Sequence, residues 1–323
     1  MCTSTGIPGQ WPRCGACLLT LLLIAAGGCS HLRPGATHGY PPQTVYFVST
    51  QSIENVGACQ GASFDGTFVY LYGDADPAVI RQYRFRATPT PRLEPTGVAV
   101  ALTCRGKEVI AHPTGLALHP HLGAFLGNTV AGRGTIYALD WPQALAAGNL
   151  DRAILNVCTD DLAGQGTRPM FVRWHSRWMI ATADYGDDAN AVRLYAPQPL
   201  LSARRTSDPG VCVARFPCRP WVQNLAWVDK AHTLVIVRNC TEGLGWALDY
   251  IHDWQPQDFR SAPDDQVFPQ ADELEGWVAL PGGWCLGCSS STHNNIWLGR
   301  MNAPPGEYRV RSEERRVGKE CVR

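Results

Sequence analysis

Seven polar side chains stand just ahead of, or at the start of, short apolar stretches at widely separated points of the chain. They are Gln60, His112 with Thr114, Arg168, Gln223 with Asn224, and Glu275. Brought to one place, this set would offer donors and acceptors suited to a sugar or a carboxylate, with a carboxylate and an amide that could face a divalent ion. Left apart, the same residues would do no more than solvate a water-filled channel. Which outcome holds depends on whether the elements that carry them repeat in register.

Two further acidic groups draw attention. Asp74 with Asp76, and Asp184 with Asp187 and Asp188, resemble calcium loops in composition. Both fall between apolar runs, where Gly and Asp are good turn formers, and neither continues to the distal glutamate of an EF-hand. They are read as turns. No G-x-S-x-G elbow announces a serine nucleophile.

The positioning elements are legible as a repeat. Cys104, Cys158 and Cys212 are 54 residues apart in each step, each after a short apolar stretch. The segments YGDADPAVIRQY (72–83) and YGDDANAVRLY (185–195) are near copies about two periods apart. Apolar runs at 61–64, 115–118, 170–174, 224–227 and 276–280 open successive units. Each unit then shows a second strand, a Gly/Asp/Asn-rich turn, a third strand and a looser fourth. Aromatic and β-branched residues with period-2 alternation favour strands. Only 142–150 looks helical, and it is read as a loop turn. Four antiparallel strands per period of this length specify a propeller blade, so the fold class is all-β, a β-propeller.

Units at about 55–104, 109–158, 165–216, 220–268 and 273–310 give five visible blades. The segment TVYFVST (44–50) has no three strands before it and falls in the fourth-strand register. It is read as the closing strand, which removes open sheet edges. The expectation is a six-bladed ring whose last blade is truncated; a complete five-bladed ring is the alternative. In either ring the residues just before each first strand meet at one mouth, and these are the seven named above.

Composition sets the remaining bounds. An apolar fraction of 45% against 17% charged is enough to bury a core and too apolar for disorder. Net charge is zero and no basic stripe is present, so no nucleic-acid partner is expected. The N-terminus carries Arg13 and then the apolar run CLLTLLLIAA (17–26), too short to span a bilayer and matching a signal-peptide core, so 1–28 is read as a signal peptide. Residues 29–43 are read as a tether and 44–310 as the propeller. Leaving out Cys29, the presequence and Cys321, eight cysteines remain, an even number that suggests disulfides of open connectivity in an exported protein. The three at one blade position are not expected to pair with each other. Cys285-Leu286-Gly287-Cys288 lies on a strand without the helix start that lowers a thiol pKa, so no redox role is read.

Three resemblances add expectations. Ala26-Gly27-Gly28-Cys29 resembles the bacterial lipobox, which implies a Cys29 carrying palmitate-type acyl chains, a membrane partner through that anchor and, with Ser30 following, an outer-membrane lipoprotein of the cell envelope. RSEERRVGKEC (311–321) resembles a common sequencing adaptor translated in frame, so 311–323 is read as an artefactual tail. His112-Pro113-Thr114-Gly115-Leu116-Ala117 resembles the first strand of six-bladed NHL and gluconolactonase (SMP-30-like) propellers. In that family the rim resembles a calcium or zinc site of Glu, Asn and Asp. Glu275 and Asn224 fall in register for two places, whereas no aspartate completes the set and Arg168 would repel a cation. The functional expectation is a binding or scaffold module for a small-molecule or protein ligand. The alternative is a divalent-metal-dependent hydrolase or lactonase.

Overall fold

The computed structural model describes residues 44–301, apart from 187, 241–244, 263–264 and 269–271 and the side chain of Asp265. Cys29, the tether and the 311–323 tail lie outside the described residues. Among those described, no helix is long and apolar enough to cross a membrane.

Five four-stranded antiparallel sheets follow one another along the chain. Blade 1 is β2 (Cys59–Phe64), β3 (Val69–Gly73), β4 (Val79–Arg86) and β5 (Arg92–Ala101), followed by a small hairpin of β6 (Thr103–Cys104) and β7 (Lys107–Glu108). Blade 2 is β8 (Pro113–His119), β9 (Gly123–Val130), β10 (Arg133–Leu139) and β11 (Ile154–Asp160). Blade 3 is β12 (Met170–Trp174), β13 (Arg177–Thr182), β14 (Ala191–Tyr195) and β15 (Cys212–Pro217). Blade 4 is β16 (Val222–Val228), β17 (Thr233–Asn239), β18 (Trp246–His252) and β19 (Asp265–Phe268). Blade 5 is β20 (Leu274–Leu280), β21 (Trp284–Ser289) and β22 (Ile296–Met301), and β1 (Val45–Gln51) supplies its outer strand.

The first strands β2, β8, β12, β16 and β20 each neighbour the next around an axis, and β20 neighbours β2. Five apolar clusters fill the five spaces between blades. Tyr72 and Leu116 belong to the first, Phe125 and Ile180 to the second, Val172 and Leu225 to the third. Val235 and Trp277 belong to the fourth, and Leu286 and Leu71 to the fifth, between blades 5 and 1. Middle strands are therefore buried on both faces. All seven residues of β17, TLVIVRN, are buried, which is why they read as near-continuous apolar runs.

The closing strand expected at 44–50 forms, but it completes the fifth blade and no sixth. β1 pairs antiparallel with β22 from Val45 opposite Met301 to Gln51 opposite Ile296. Amide side chains fasten both of its ends. Val45 N donates to Gln266 Oε1 at 2.8 Å while Gln266 Nε2 donates to Val45 O, tying β1 to blade 4. Gln51 Nε2 donates to Leu93 O at 3.0 Å and Leu93 N donates back to Gln51 Oε1 at 2.8 Å, tying it to blade 1. The ring is thus the five-bladed alternative, closed among the described residues. No gap remains for a further blade between β20 and β2, where a Cβ on Gly276 would lie 2.9 Å from Gly61 Cα and from Ala62 N.

Two other expectations are corrected. The 142–150 segment, read as a loop turn, contains α1 (Trp141–Ala147); Asp140 caps it by accepting from Gln143 N, and Gly148 at φ 68° ends it. The eight described cysteines are free thiols, so the expected disulfides are not formed. Cys158 and Cys212 both lie on fourth strands but pack from opposite sides into the space between blades 2 and 3, whereas Cys104 lies in the extra β6–β7 hairpin. Cys285 and Cys288 are three apart on one strand and so face opposite sides. Cys285 packs between blades 4 and 5, and Cys288 between blades 5 and 1.

Candidate functional site at the channel mouth

Bulges at the first strands make the mouth. In four blades the pairing of first and second strands slips by one residue, between Cys59 and Gly61, Pro113 and Gly115, Val222 and Asn224, and Leu274 and Gly276. The unpaired residues are Gln60, Thr114, Gln223 and Glu275. A bulge re-aims the side chain of its extra residue. Blade 3 uses another device: Arg168, just ahead of β12, is held by its backbone N donating to Thr182 Oγ1 at 2.6 Å. One residue per blade is placed this way.

Gln60, His112, Arg168, Gln223 and Glu275 line a single cavity of about 520 Å³, together with Gln165, Tyr185, Glu273 and Ser290. Thr114 and Asn224 are not among its lining residues, although both are buried. Thr114 Oγ1 donates to Thr167 O at 2.5 Å. Asn224 Nδ2 donates to Tyr72 Oη at 2.8 Å and Glu275 O at 3.2 Å, and its Oδ1 accepts from Leu225 N. Its amide is fully used inside the ring. The Glu275–Asn224 pair implied for calcium or zinc is therefore not presented to the cavity, and among the described residues no three His, Cys, Asp or Glu side chains group as metal ligands. The residues present do not fit the metal site that the resemblance implied.

The electrostatics centre on Arg168 and two glutamates. Arg168 is 4% exposed. Its Nε donates to Gln223 O at 2.9 Å, its Nη1 reaches Gln165 O at 3.5 Å, and its guanidinium lies 5.7 Å from the Tyr185 ring centroid. Burial pulls its pKa down to about 10, against the pull of Glu275. Glu275 is 3% exposed. Burial, then the charge of Glu273, holds its carboxyl well above the usual carboxylate range. Glu273 Oε1 accepts from Tyr185 Oη at 3.2 Å and Asn239 Nδ2 at 3.3 Å. Burial also lowers the His112 pKa, opposed by Asp74, whose Oδ2 is 4.0 Å from His112 Nδ1.

Sequence reasoning missed Glu273, Tyr185 and Asp74. Asp74 is an aspartate at the rim after all, and it also works as a turn residue: Oδ1 accepts from Ala58 N at 2.8 Å. Glu273 lies two residues ahead of its bulge, the place that His112 holds in blade 2 and Ala58 in blade 1, and all three line the cavity. The signal that could have found Tyr185 and Asp74 was the near-copy segment itself, since Asp74 follows β3 and Tyr185 follows β13 at the same mouth. Asp184, read as a turn former, is instead buried in an ion pair. Arg193 Nη1 and Nη2 reach its two oxygens at 2.6 and 3.1 Å, and it also accepts from Gly164 N and Gln165 N.

Fold and site define a five-bladed β-propeller with a polar cavity at one end of its axis. No protein-family model matches the chain, and no curated protein matches it. Among solved structures it is similar to the PQQ-bound aldose sugar dehydrogenase of Streptomyces coelicolor, with 14% identity and a TM-score of 0.45 over 80% of this chain and 98% of that one. It is similar to an engineered GH43 glycoside hydrolase, with 10% identity and a TM-score of 0.48 over 81% of this chain and 55% of that one. It is also similar to the hydrazine synthase of Kuenenia stuttgartiensis, with 12% identity and a TM-score of 0.41 over 76% of this chain and 59% of that one. The chain thus spans less than two thirds of the hydrazine synthase and glycoside hydrolase chains.

Proposed function

We propose that this protein is a cell-envelope lipoprotein whose propeller is a binding module, with the channel mouth as the site for a small polar ligand. One observation carries the binding reading. Side chains from all five blades, four of them re-aimed by bulges or placed as Arg168 is, line one cavity of about 520 Å³, a size that encloses a small molecule. The hydrogen-bonding groups outnumber apolar ones there, which favours a polar ligand over a lipid. The lipobox-like Ala26-Gly27-Gly28-Cys29 supports the envelope anchor. The hydrolase alternative, in its metal-dependent form, loses its second ligand because Asn224 is consumed by internal hydrogen bonds.

Calorimetric titration of the propeller with sugars, organic acids and amino acids tests the binding reading. Saturable heat that disappears in Gln223→Ala supports it; no heat from any compound rejects it. Stoichiometric bound calcium or zinc by elemental analysis, with turnover of a lactone, would reinstate the enzyme. Labelling with radioactive palmitate tests the anchor: incorporation is expected in the natural chain and absent in Cys29→Ser.

A further inference from the structure

We infer that the mouth takes a zwitterion of the α-amino-acid type, its carboxylate on the Arg168 guanidinium and its ammonium on the Glu273–Glu275 carboxyl pair. This rests on the binding reading above and names its ligand class.

Among the described residues three arginines are buried, Arg168, Arg193 and Arg238, and Arg193 and Arg238 pair with aspartates whereas Arg168 does not. Arg193 is clamped by both oxygens of Asp184 at 2.6 and 3.1 Å. Arg168 is as deeply placed at 4% exposed, yet its bonds go only to backbone carbonyls, those of Gln223 and Gln165. Among the described residues no carboxylate oxygen lies within the 4.0 Å of an ion pair. Removing a cation from water without a counter-charge is costly unless something supplies one. Arg168 also lines the cavity, so a ligand can. A carboxylate is the natural partner of a guanidinium fork.

The other wall asks for a cation. Glu273 and Glu275 line the same cavity as Arg168, Glu275 is 3% exposed, and burial with the charge of Glu273 holds the Glu275 carboxyl well above the usual carboxylate range. Other groups facing Glu275 are Arg168, Tyr185 and the thiols of Cys59 and Cys288. Asp74 adds a further acidic group at the rim, beside Gln60 and His112. A phosphate or a simple anion would satisfy Arg168 but face Glu273. A ligand carrying both charges satisfies both walls. An ammonium beside the two carboxyls favours the ionised form of Glu275, whose proton leaves to solvent.

Calorimetry on the full chain, using the twenty L-amino acids singly, tests this. At least one is expected to bind. Its amide, which lacks the carboxylate, and its 2-hydroxy acid, which lacks the ammonium, should each bind about tenfold or more weakly, the worth of one charge-assisted contact. Repeating the titration in buffers of different ionisation enthalpy should show release of up to about one proton, since Glu275 gives up its proton on binding. Glu275→Gln should abolish that release, and Arg168→Gln should erase the advantage of the amino acid over its amide. Should the Arg168 variant fail to fold, the comparison of amide and hydroxy acid on the natural chain still decides. Equal binding of the hydroxy acid and the amino acid overturns the zwitterion, as does binding without proton release. Binding of sugars alone overturns it while the mouth remains a binding site, and no binding by any compound overturns both.

Discussion

Glu275 concentrates the chemistry of the mouth in one side chain. Its carboxyl is held protonated above the usual range by burial and by Glu273. The folded state therefore binds this proton more tightly than the unfolded chain does. The associated stability is complete below the ordinary glutamate pKa and is lost as pH rises toward the folded-state value. Thermal melts of the natural protein should fall in Tm across that window, whereas Glu275→Gln should show a flatter profile and a higher Tm at its alkaline end. Parallel profiles would mean that Glu275 is not the group responsible. Residue types and a 54-residue spacing were enough to name Glu275 and Arg168 from sequence, because repeat register translates directly into position around a ring. Protonation and pairing were not legible, since they depend on Glu273, Tyr185 and Asn239, which come from three blades.

The first strands decide how tightly the blades meet. Gly276 stands where β20 passes β2, and a Cβ there would lie 2.9 Å from the backbone atoms Gly61 Cα and Ala62 N and 3.1 Å from Cys288 Sγ. Gly276→Ala should cost about 1–3 kcal/mol, the usual penalty of overpacking. A urea midpoint measured against the natural protein checks it, with no loss expected for alanine at the exposed residue Gly164, which has open space around it and no positive φ. The strands themselves were readable from their apolar runs and turns. Helix α1 showed as a helical-looking stretch but was read as a loop turn, because its signal is short: an Asp140 cap, a proline in the first turn and Gly148 at the end. The bulges were also invisible, since a one-residue slip leaves no trace in composition and is fixed only by the partner strand.

Around the whole ring, closure is non-covalent and depends on β1. Gln266 and Gln51 hold its two ends to the blades on either side of its own. Replacing both with alanine removes five hydrogen bonds, the four that fasten β1 and one from Tyr250 Oη to Gln266 Oε1, each worth about 0.5–1.5 kcal/mol, without touching the mouth. Hydrogen exchange should then quicken at the β1 and β22 amides while blades 2 and 3 stay protected. Uniform quickening would mean that the ring opens only by global unfolding. Blade number was the feature sequence misjudged: equal spacing counts units but says nothing of how closely first strands approach, and glycines at the axis allow five to close. The reciprocal pairing of Val45 with Met301 spans 256 residues of chain, which sets an order in time. Contacts within blades 1 to 4 are local and can form as their strands become available, whereas β1 has no strand to pair with until β22 exists, and long-range pairing is slow. β1, made long before its partner, is thus the last of these strands to be placed, and until then its edge is open to any neighbouring chain.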